Sequence, residues 1–389
     1  DNFKHINDTL GHEAGDNLLI EGARRISACL RGTSTVARLG GDEFLVILPS
    51  ISSPAAVEQV GDRILQTFVP PFHLADQEVF VSTSIGIAIY PSDSDDSTTL
   101  LQNADAAMYE AKHRGKSSYQ RYHPEMKEVS QERLQMESLL RRALEMQEFE
   151  LHFQPIIRMR DREVLGAEAL LRWESPTLGA VSPDRFIPLA EETGLIISIG
   201  RWVLHEACHA VSRWNQDREE PLCMAINVSP RQFRDPHFVD TIRAALNESG
   251  ISGECLELEI TERLILDNSI ETDKVLAELD AMNVRLSVDD FGTGYSALGY
   301  IKRYPFDTLK IDKSFIHDMT TKADDSALVC AIIQMAHSLS LEVIAEGVEV
   351  VEEFEFLRKE NCDYTQGFLF TPPLREDGFV SWLNDTVDG

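Results

Sequence analysis

The sequence predicts an α/β protein in two parts: an α+β domain over residues 1–123 and a (β/α)8 barrel of the TIM type over residues 134–389. Three observations predict it. The chain has 389 residues, enough for two units of roughly 100 to 200 residues each. Its first third mixes hairpin-like strand runs with helices around a Gly-Gly turn. The rest alternates short apolar runs with helical stretches, the pattern of parallel βαβ units.

The opening segment Asp1 to Asp16 reads as a polar loop. With Asp at position 1 and no strand before it, the first domain is expected to be incomplete at its start, with an upstream sensory domain absent. Asn17 to Leu30 has helical apolar spacing, and Val36–Leu39 and Phe44–Leu48 are strand-like. Between them lies Gly40-Gly41-Asp42-Glu43, a hairpin signal because a tight turn needs positive φ. Ala55 to Phe68 and Leu100 to Lys112 read as helices, and a strand pair fits Glu78 to Tyr90. Hairpins and helices mixed in this way suggest a layered α+β fold with an antiparallel sheet. Ser130 to Gln147 carries Leu134, Leu139, Leu140 and Leu144 at helical spacing, with Ser130 as the expected N-cap. Residues 124–133 thus form the linker and the start of a joining helix.

Beyond the joint, strands are expected at Glu150–Phe153, Val164–Leu171, Cys223–Val228, Cys255–Ile260, Arg285–Val288, Thr308–Ile311, Glu342–Ala345 and Tyr364–Phe368. Eight strands in about 240 residues match a (β/α)8 barrel.

Composition narrows the function. Asp and Glu outnumber Lys and Arg 65 to 36, a net charge of -29, which disfavours a sequence-independent grip on a nucleic acid polymer. A small phosphate ester remains a candidate ligand where divalent cations reverse the field inside a carboxylate-lined pocket. The six cysteines lack zinc spacing and read as buried free thiols. No apolar run reaches the roughly 18 residues of a membrane span. The expected location is cytoplasmic, with any membrane anchor lying upstream.

Polar residues interrupt the expected strands near their ends: Glu168, Asn227, Glu259 and Glu262, Asp289 and Asp290, Lys310, Glu346 and Gln366. Each has an ordinary explanation on its own, such as a surface charge or a turn. In a barrel, however, those ends converge on one face. Several carboxylates gathered there without cations would pay heavily in desolvation and repulsion. Oxygen and amide donors without His or Cys suit Mg²⁺ or Mn²⁺, and a pair of such ions can drive phosphodiester hydrolysis.

The motifs Glu168-Ala169-Leu170 within EALLRW, Asn227-Val228-Ser229, Glu259-Ile260-Thr261-Glu262, DDFGTGYSAL from Asp289, Lys310-Ile311-Asp312, AEGVE from Ala345 and Gln366-Gly367-Phe368 resemble, in order and spacing, the EAL-domain c-di-GMP phosphodiesterases. The resemblance implies cleavage of c-di-GMP to linear pGpG by two Mg²⁺ or Mn²⁺ ions. It implies that Glu168, Asn227, Glu259 and Asp289 bind one ion and that Asp289 and Asp290 bind the second. Lys310 would hold the attacking water, Glu346 and Gln366 would position water or metal, and Glu262 and Glu349 would hold the DDFGTG loop. Gln154 and Arg172 would contact the dinucleotide. A catalytically silent c-di-GMP receptor is the alternative, although such receptors usually lose carboxylates that are all retained here.

The first part, through Gly40-Gly41-Asp42-Glu43-Phe44, resembles the GGDEF domain of diguanylate cyclases. That implies GTP with Mg²⁺ at the hairpin, guanine recognition by Asn7 and Asp16, and phosphate contacts from Lys4, Lys112 and Arg114. GTP would act as a regulator or as the substrate of a second activity. Two departures stand out: a metal-binding Asp of the family would precede Asp1, and Arg31-Gly32-Thr33-Ser34 lacks the carboxylate of the product-inhibition site. Both families are commonly dimeric, so a homodimer is expected.

Overall fold

The computed structural model describes residues 3–30, 32–51, 53–74, 77–265, 270–292, 298–319 and 323–387. The chain divides into two compact units, Asp1–Gln135 and Met136–Gly389.

In the first unit the opening segment is a helix, Phe3–Leu10, where a polar loop was expected. The reason is a small apolar stripe. Ile6 joins Ala14, Leu18, Phe72 and Leu74 in the core, with Phe3 and Leu10 packed against it. A second helix, His12–Ala28, follows, and its Arg25 donates to the carbonyls of Thr67, Pro70 and Pro71. The Gly-Gly hairpin forms as expected, from β1 (Thr35–Gly40) and β2 (Glu43–Ile47), antiparallel with Gly40 opposite Glu43. Gly41 has φ +50°, a conformation that costs a residue bearing a Cβ.

The helix Pro54–Phe68 leads to β3 (Phe72–Leu74), which pairs antiparallel with β4 (Gln77–Val79). The strand pair expected over Glu78 to Tyr90 does not form. Instead β5 (Ile85–Ile87) runs parallel to β6 (Tyr119–Arg121), and the helix Ser97–His113 connects them. Gly86 allows this connection, because a Cβ there would lie 1.9 Å from the carbonyl oxygen of Ala104 in that helix. The joining helix starts earlier than expected, at Pro124, and ends at Ala143. Proline is well placed at a first helical position, where no N–H partner is needed.

The second unit is a closed eight-stranded barrel. Its staves are β7 (Phe149–Arg158), β8 (Val164–Ser175), β10 (Cys223–Val228), β11 (Leu256–Thr261), β12 (Arg285–Phe291), β13 (Thr308–Ile311), β14 (Glu342–Ala345) and β15 (Tyr364–Thr365). The short β9 (Gly179–Val181) extends the edge of β8, and β16 (Leu374–Arg375) pairs with the upper half of β7. The barrel departs from the all-parallel expectation in one stave. β8 and β10 through β15 run parallel in sequence, whereas β7 is antiparallel to both of its barrel neighbours, β8 and β15. The two-residue alternation that marks a strand carries no sign of its direction.

Side chains alternate between the barrel interior and the surrounding helices. Leu151 and Phe153 of β7 belong to the large outer core, while Ile156 lies in an inner cluster with Ala225, Ile344 and Tyr364. Below that cluster, Arg285 spans to Glu257 (3.1 Å), Glu342 (2.6 Å) and Thr308 (3.2 Å), and the Tyr364 hydroxyl donates to Glu342 at 3.0 Å. Burial raises the pKa of the Glu257 carboxyl despite Arg285 beside it.

Candidate active site

Strand register assembles the site. Asn227 stands opposite Glu259 and Thr261 opposite Asp289, so neighbouring parallel staves carry their polar side chains at similar heights. Although β7 runs the other way, its register sets Gln154 opposite Glu168. Antiparallel pairing therefore delivers Gln154 to the same face as the polar groups of the other seven staves.

Several of those staves exit into capped turns that fix the backbone. After Asn227, Ser229 and Gln232 form a reciprocal capping box. After Lys310, Asp312 accepts from the Ser314 N–H at 3.0 Å. After Glu346, Glu353 accepts from the N–H groups of Glu349 (2.8 Å) and Val350 (3.2 Å). Gly367, just past Gln366, is enforced by close approach, since a Cβ there would sit 2.0 Å from the Val348 carbonyl oxygen.

At the centre stands the Lys310 ammonium, 1% exposed. It lies 2.6 Å from Glu259 Oε1 and from Glu346 Oε1, 3.7 Å from Glu168 Oε2 and 3.8 Å from Asp289 Oδ1. Four carboxylates thus face one cation. The approach to Glu259 is an ion pair by distance but is poorly aligned for a hydrogen bond, and both Glu259 oxygens lack a hydrogen-bond partner. Glu168 is held from two sides: Asn227 Nδ2 donates to Oε1 and Gln366 Nε2 to Oε2, each at 2.6 Å. Gln366 Nε2 also donates to Gln154 Oε1 at 2.9 Å, and Gln154 Nε2 to the Thr371 carbonyl at 3.3 Å.

The electrostatics follow from this packing. Burial drives the Glu259 carboxyl well above its ordinary range, and repulsion from Glu168 adds to the rise. Burial also opposes ionisation of Glu168, but Lys310 and the two amide donors outweigh it, so its pKa falls. Burial raises Glu346 to about 7 against the pull of Lys310. Lys310 itself loses solvation, yet its ring of carboxylates pushes its pKa well upward. Arg172, half-buried on the same face of β8 as Glu168, has its pKa lowered by desolvation, and its Nη1 donates to the Leu171 carbonyl at 2.9 Å.

The donor chemistry fits hard cations. The oxygens come from carboxylates and amides, and buried Glu259 and Gln366 Oε1 carry lone pairs without partners. Among the described residues, no three His, Cys, Asp or Glu side chains are arranged as a finished metal site. The ammonium occupies the middle of the acid cluster. The side chain of Asp290 and residues 293–297 of the DDFGTG loop lie outside the described residues. Glu262 is buried at the start of the helix Glu262–Ile265, and Glu349 lies in the loop that Glu353 pins.

A family model described as "EAL domain" matches residues 137–373, and one described as "Diguanylate cyclase, GGDEF domain" matches residues 1–118. The chain is a GGDEF–EAL protein. It is 42% identical over 374 residues to the bifunctional diguanylate cyclase/cyclic di-GMP phosphodiesterase MucR of Pseudomonas aeruginosa, covering 96% of this chain and 54% of that one. It is 39% identical over 382 residues to the cyclic di-GMP phosphodiesterase PdeR of Escherichia coli, covering 98% of this chain and 57% of that one. The chain thus spans about half the length of the curated relatives it matches. Among solved structures it resembles the PaMucR phosphodiesterase in complex with c-di-GMP, with a TM-score of 0.61 at 41% identity, covering 63% of this chain and 99% of that one. It also resembles the EAL enzyme Bd1971 bound to cAMP and cyclic di-GMP, with a TM-score of 0.63 at 30% identity, covering 75% of this chain and 77% of that one.

In the GGDEF unit, Gly40, Gly41, Asp42 and Glu43 sit exposed on the hairpin, whose turn is braced by Arg38 Nε donating to the Gly41 carbonyl at 2.9 Å. Asn7 lies on the first helix with its Oδ1 buried, and Asp16 is exposed on the second. Lys112 closes the helix Ser97–His113, while Arg114 just beyond it pairs with Glu110 at 2.8 Å. The side chain of Lys4 and residue Arg31 lie outside the described residues.

Sequence reasoning missed two contributors in the EAL unit. Glu353 holds the loop that carries Glu346, but its capping position is disguised by Val350, which has no side-chain acceptor at the N-cap. The Thr371 carbonyl, which anchors Gln154, has no signature because any residue could supply it. No helix among the described residues is long and apolar enough to cross a membrane.

Proposed function

We propose that the EAL barrel hydrolyses c-di-GMP to linear pGpG using Mg²⁺ or Mn²⁺. One observation carries the reading: four carboxylates from different staves gather around a single buried lysine, leaving an excess of negative charge that divalent cations would neutralise. Glu168, Asn227, Glu259 and Asp289 would hold one ion, and Asp289 with Asp290 a second. Bound there, the ions would polarise the phosphoryl oxygens and acidify water near neutral pH.

The chain's own residues do the rest. Lys310 holds the attacking water by its ammonium. Glu346, 2.6 Å from the Lys310 ammonium, is placed to take the proton that the water loses. Gln366 fixes Glu168 in one rotamer, and Gln154 extends that hydrogen-bonded chain towards the substrate. Arg172 offers a planar guanidinium to a phosphate. Glu262 and Glu349 steady the DDFGTG loop. Relatives whose names state cyclic di-GMP phosphodiesterase activity support the substrate.

The GGDEF unit is proposed to bind GTP with Mg²⁺ through Asn7, Asp16, the Gly40 to Glu43 hairpin, Lys112 and Arg114, as a regulator or for diguanylate cyclase activity in a homodimer. To test the main reading, the purified chain is incubated with c-di-GMP and Mg²⁺ or Mn²⁺ and the nucleotides are separated by chromatography. Linear pGpG is expected. Intact c-di-GMP after prolonged incubation would leave a receptor.

A further inference from the structure

We propose that His205 and His209, with Glu248 of a neighbouring helix, form a surface site for a divalent transition-metal ion of the Zn²⁺ kind, separate from the acid cluster in the barrel mouth. The inference does not rest on the cyclic dinucleotide reading and holds whichever ligand the mouth takes.

The run from His205 to His209 reads H-E-A-C-H and lies within the helix Ile196–Trp214. Residues four apart on a helix are neighbours on one face, and H-E-x-x-H is a spacing at which two imidazoles share one metal ion. The two rings meet here, with centroids 4.3 Å apart. Ser212, three residues further along the same face, donates to the Ser249 carbonyl at 2.8 Å. That contact turns the face towards the C-terminal end of the helix Phe238–Ser249, where Glu248 sits. The unpaired carbonyls of a helix C-terminus carry a partial negative charge, which favours a cation beside them.

The contacts of His205 suit a ligand at one nitrogen. Its Nδ1 lies 3.3 Å from Glu206 Oε1, and a proton held there by the carboxylate leaves Nε2 as an electron-pair donor. Nε2 faces Glu248 Oε2 across 3.8 Å, outside hydrogen-bond reach. Bonds from Zn²⁺ to imidazole nitrogen or carboxylate oxygen are about 2.0–2.2 Å, so two donors of one ion stand roughly 3 to 4 Å apart. The gap is of a size that an ion bridges. Glu206 then orients the ring, as a carboxylate behind a metal-bound histidine does. Cys208, inside the motif, takes no part, because it is buried in the core and burial pushes its thiol up to about 12. The three side chains are not arranged as a finished coordination sphere. What remains is a rotamer change of Glu248, whose side chain is 60% exposed. Imidazole donors suit Zn²⁺, whereas the carboxylates and amides of the mouth suit Mg²⁺ or Mn²⁺. An ion bound here ties the helix Ile196–Trp214 to the helix Phe238–Ser249 and stabilises the folded barrel by mass action.

The test titrates Zn²⁺ calorimetrically into the untagged chain in saturating Mg²⁺, which occupies the oxygen-lined positions. Wild type is compared with the double variant His205→Ala/His209→Ala and with Glu248→Ala, and circular dichroism follows the folding of each. Alanine is the best helix former, so these changes on the helix surfaces leave the fold in place. Wild type should bind one Zn²⁺ more than the double variant, and its Tm should rise with Zn²⁺ by a margin that the double variant lacks. Glu248→Ala should weaken that extra ion by at least about tenfold. Equal zinc stoichiometry in wild type and the folded double variant overturns the proposal. An extra ion held with unaltered Kd by Glu248→Ala also overturns it, because the histidine pair would then join nothing to its helix.

Discussion

Replacing Lys310 with Met removes the central ammonium from a pocket of four carboxylates while keeping most of the side-chain volume. At an effective dielectric of about 20, a unit charge attracts each carboxylate at 2.6 Å by roughly 6 kcal/mol and each at 3.7 to 3.8 Å by roughly 4. Desolvation of the buried groups cancels most of this. Removing one partner from a buried ion pair costs about 3–5 kcal/mol, because the remaining charge is stranded. At roughly 2–4 °C per kcal/mol for a unit of this size, Lys310→Met should lower the barrel's Tm by about 6–20 °C in EDTA. With Mg²⁺ present the deficit should shrink, since the ions neutralise the same carboxylates. The kcat should fall far more than KM changes, because Lys310 acts on the attacking water and not on the bound dinucleotide. Scanning calorimetry with EDTA and with Mg²⁺, alongside steady-state hydrolysis, reads all three quantities. An unaltered Tm in EDTA would refute the neutralisation argument. A purely KM effect would move Lys310 from water activation to phosphate binding.

Glu168→Ala deletes a proposed ligand and strands the Asn227 and Gln366 amide donors, so hydrolysis should drop by at least about a hundredfold while circular dichroism is preserved; a near-parental rate would remove Glu168 from the ligand set. Hydrolysis should require Mg²⁺ or Mn²⁺ and be poisoned by Ca²⁺, which prefers longer oxygen contacts, and full turnover in excess EDTA would defeat the metal assignment. Without metal, the raised pKa of Glu346 means that the folded state holds this proton more tightly than the unfolded state does. Its contribution is complete below about pH 4.5 and is lost as pH rises through about 7, so urea unfolding in EDTA should show lower stability at pH 8 than at pH 5; the opposite order contradicts the assignment. At the far end of the barrel, Arg285→Ala should destabilise the fold by about 3–5 kcal/mol, by stranding Glu257, and leave kcat within about twofold; a large kcat loss in folded protein would show that the two ends are coupled.

Much of this was legible because it depends on local pattern. The hairpin at Gly40 and Gly41 follows from the conformation its turn demands, and it forms where expected. The parallel staves were visible as apolar runs, and the residues that break those runs are the ones that meet around Lys310. Features decided by pairing were not visible. The strand over β7 was expected to end at Phe153, yet it continues to Arg158 because β8 and β15 supply partners along its length. Phe3, Ile6 and Leu10 have helical spacing, but in so polar a segment they gain meaning only when Phe72 and Leu74 cover them.

The reversed stave shows why direction matters to function. Were β7 parallel to its neighbours, Gln154 could still reach the height of Glu168, but Ile156 would then stand at the mouth and His152 within the apolar floor. Antiparallel pairing inverts that order. It places Ile156 among Ala225, Ile344 and Tyr364, where its burial stabilises the barrel, and leaves Glu150 and His152 opposite Arg172 and Leu170 at the rim. A polar-to-apolar gradient along β7 therefore makes chemical sense in one direction only. The sequence from Glu150 to Ile156 carries that gradient, although strand periodicity alone does not reveal it.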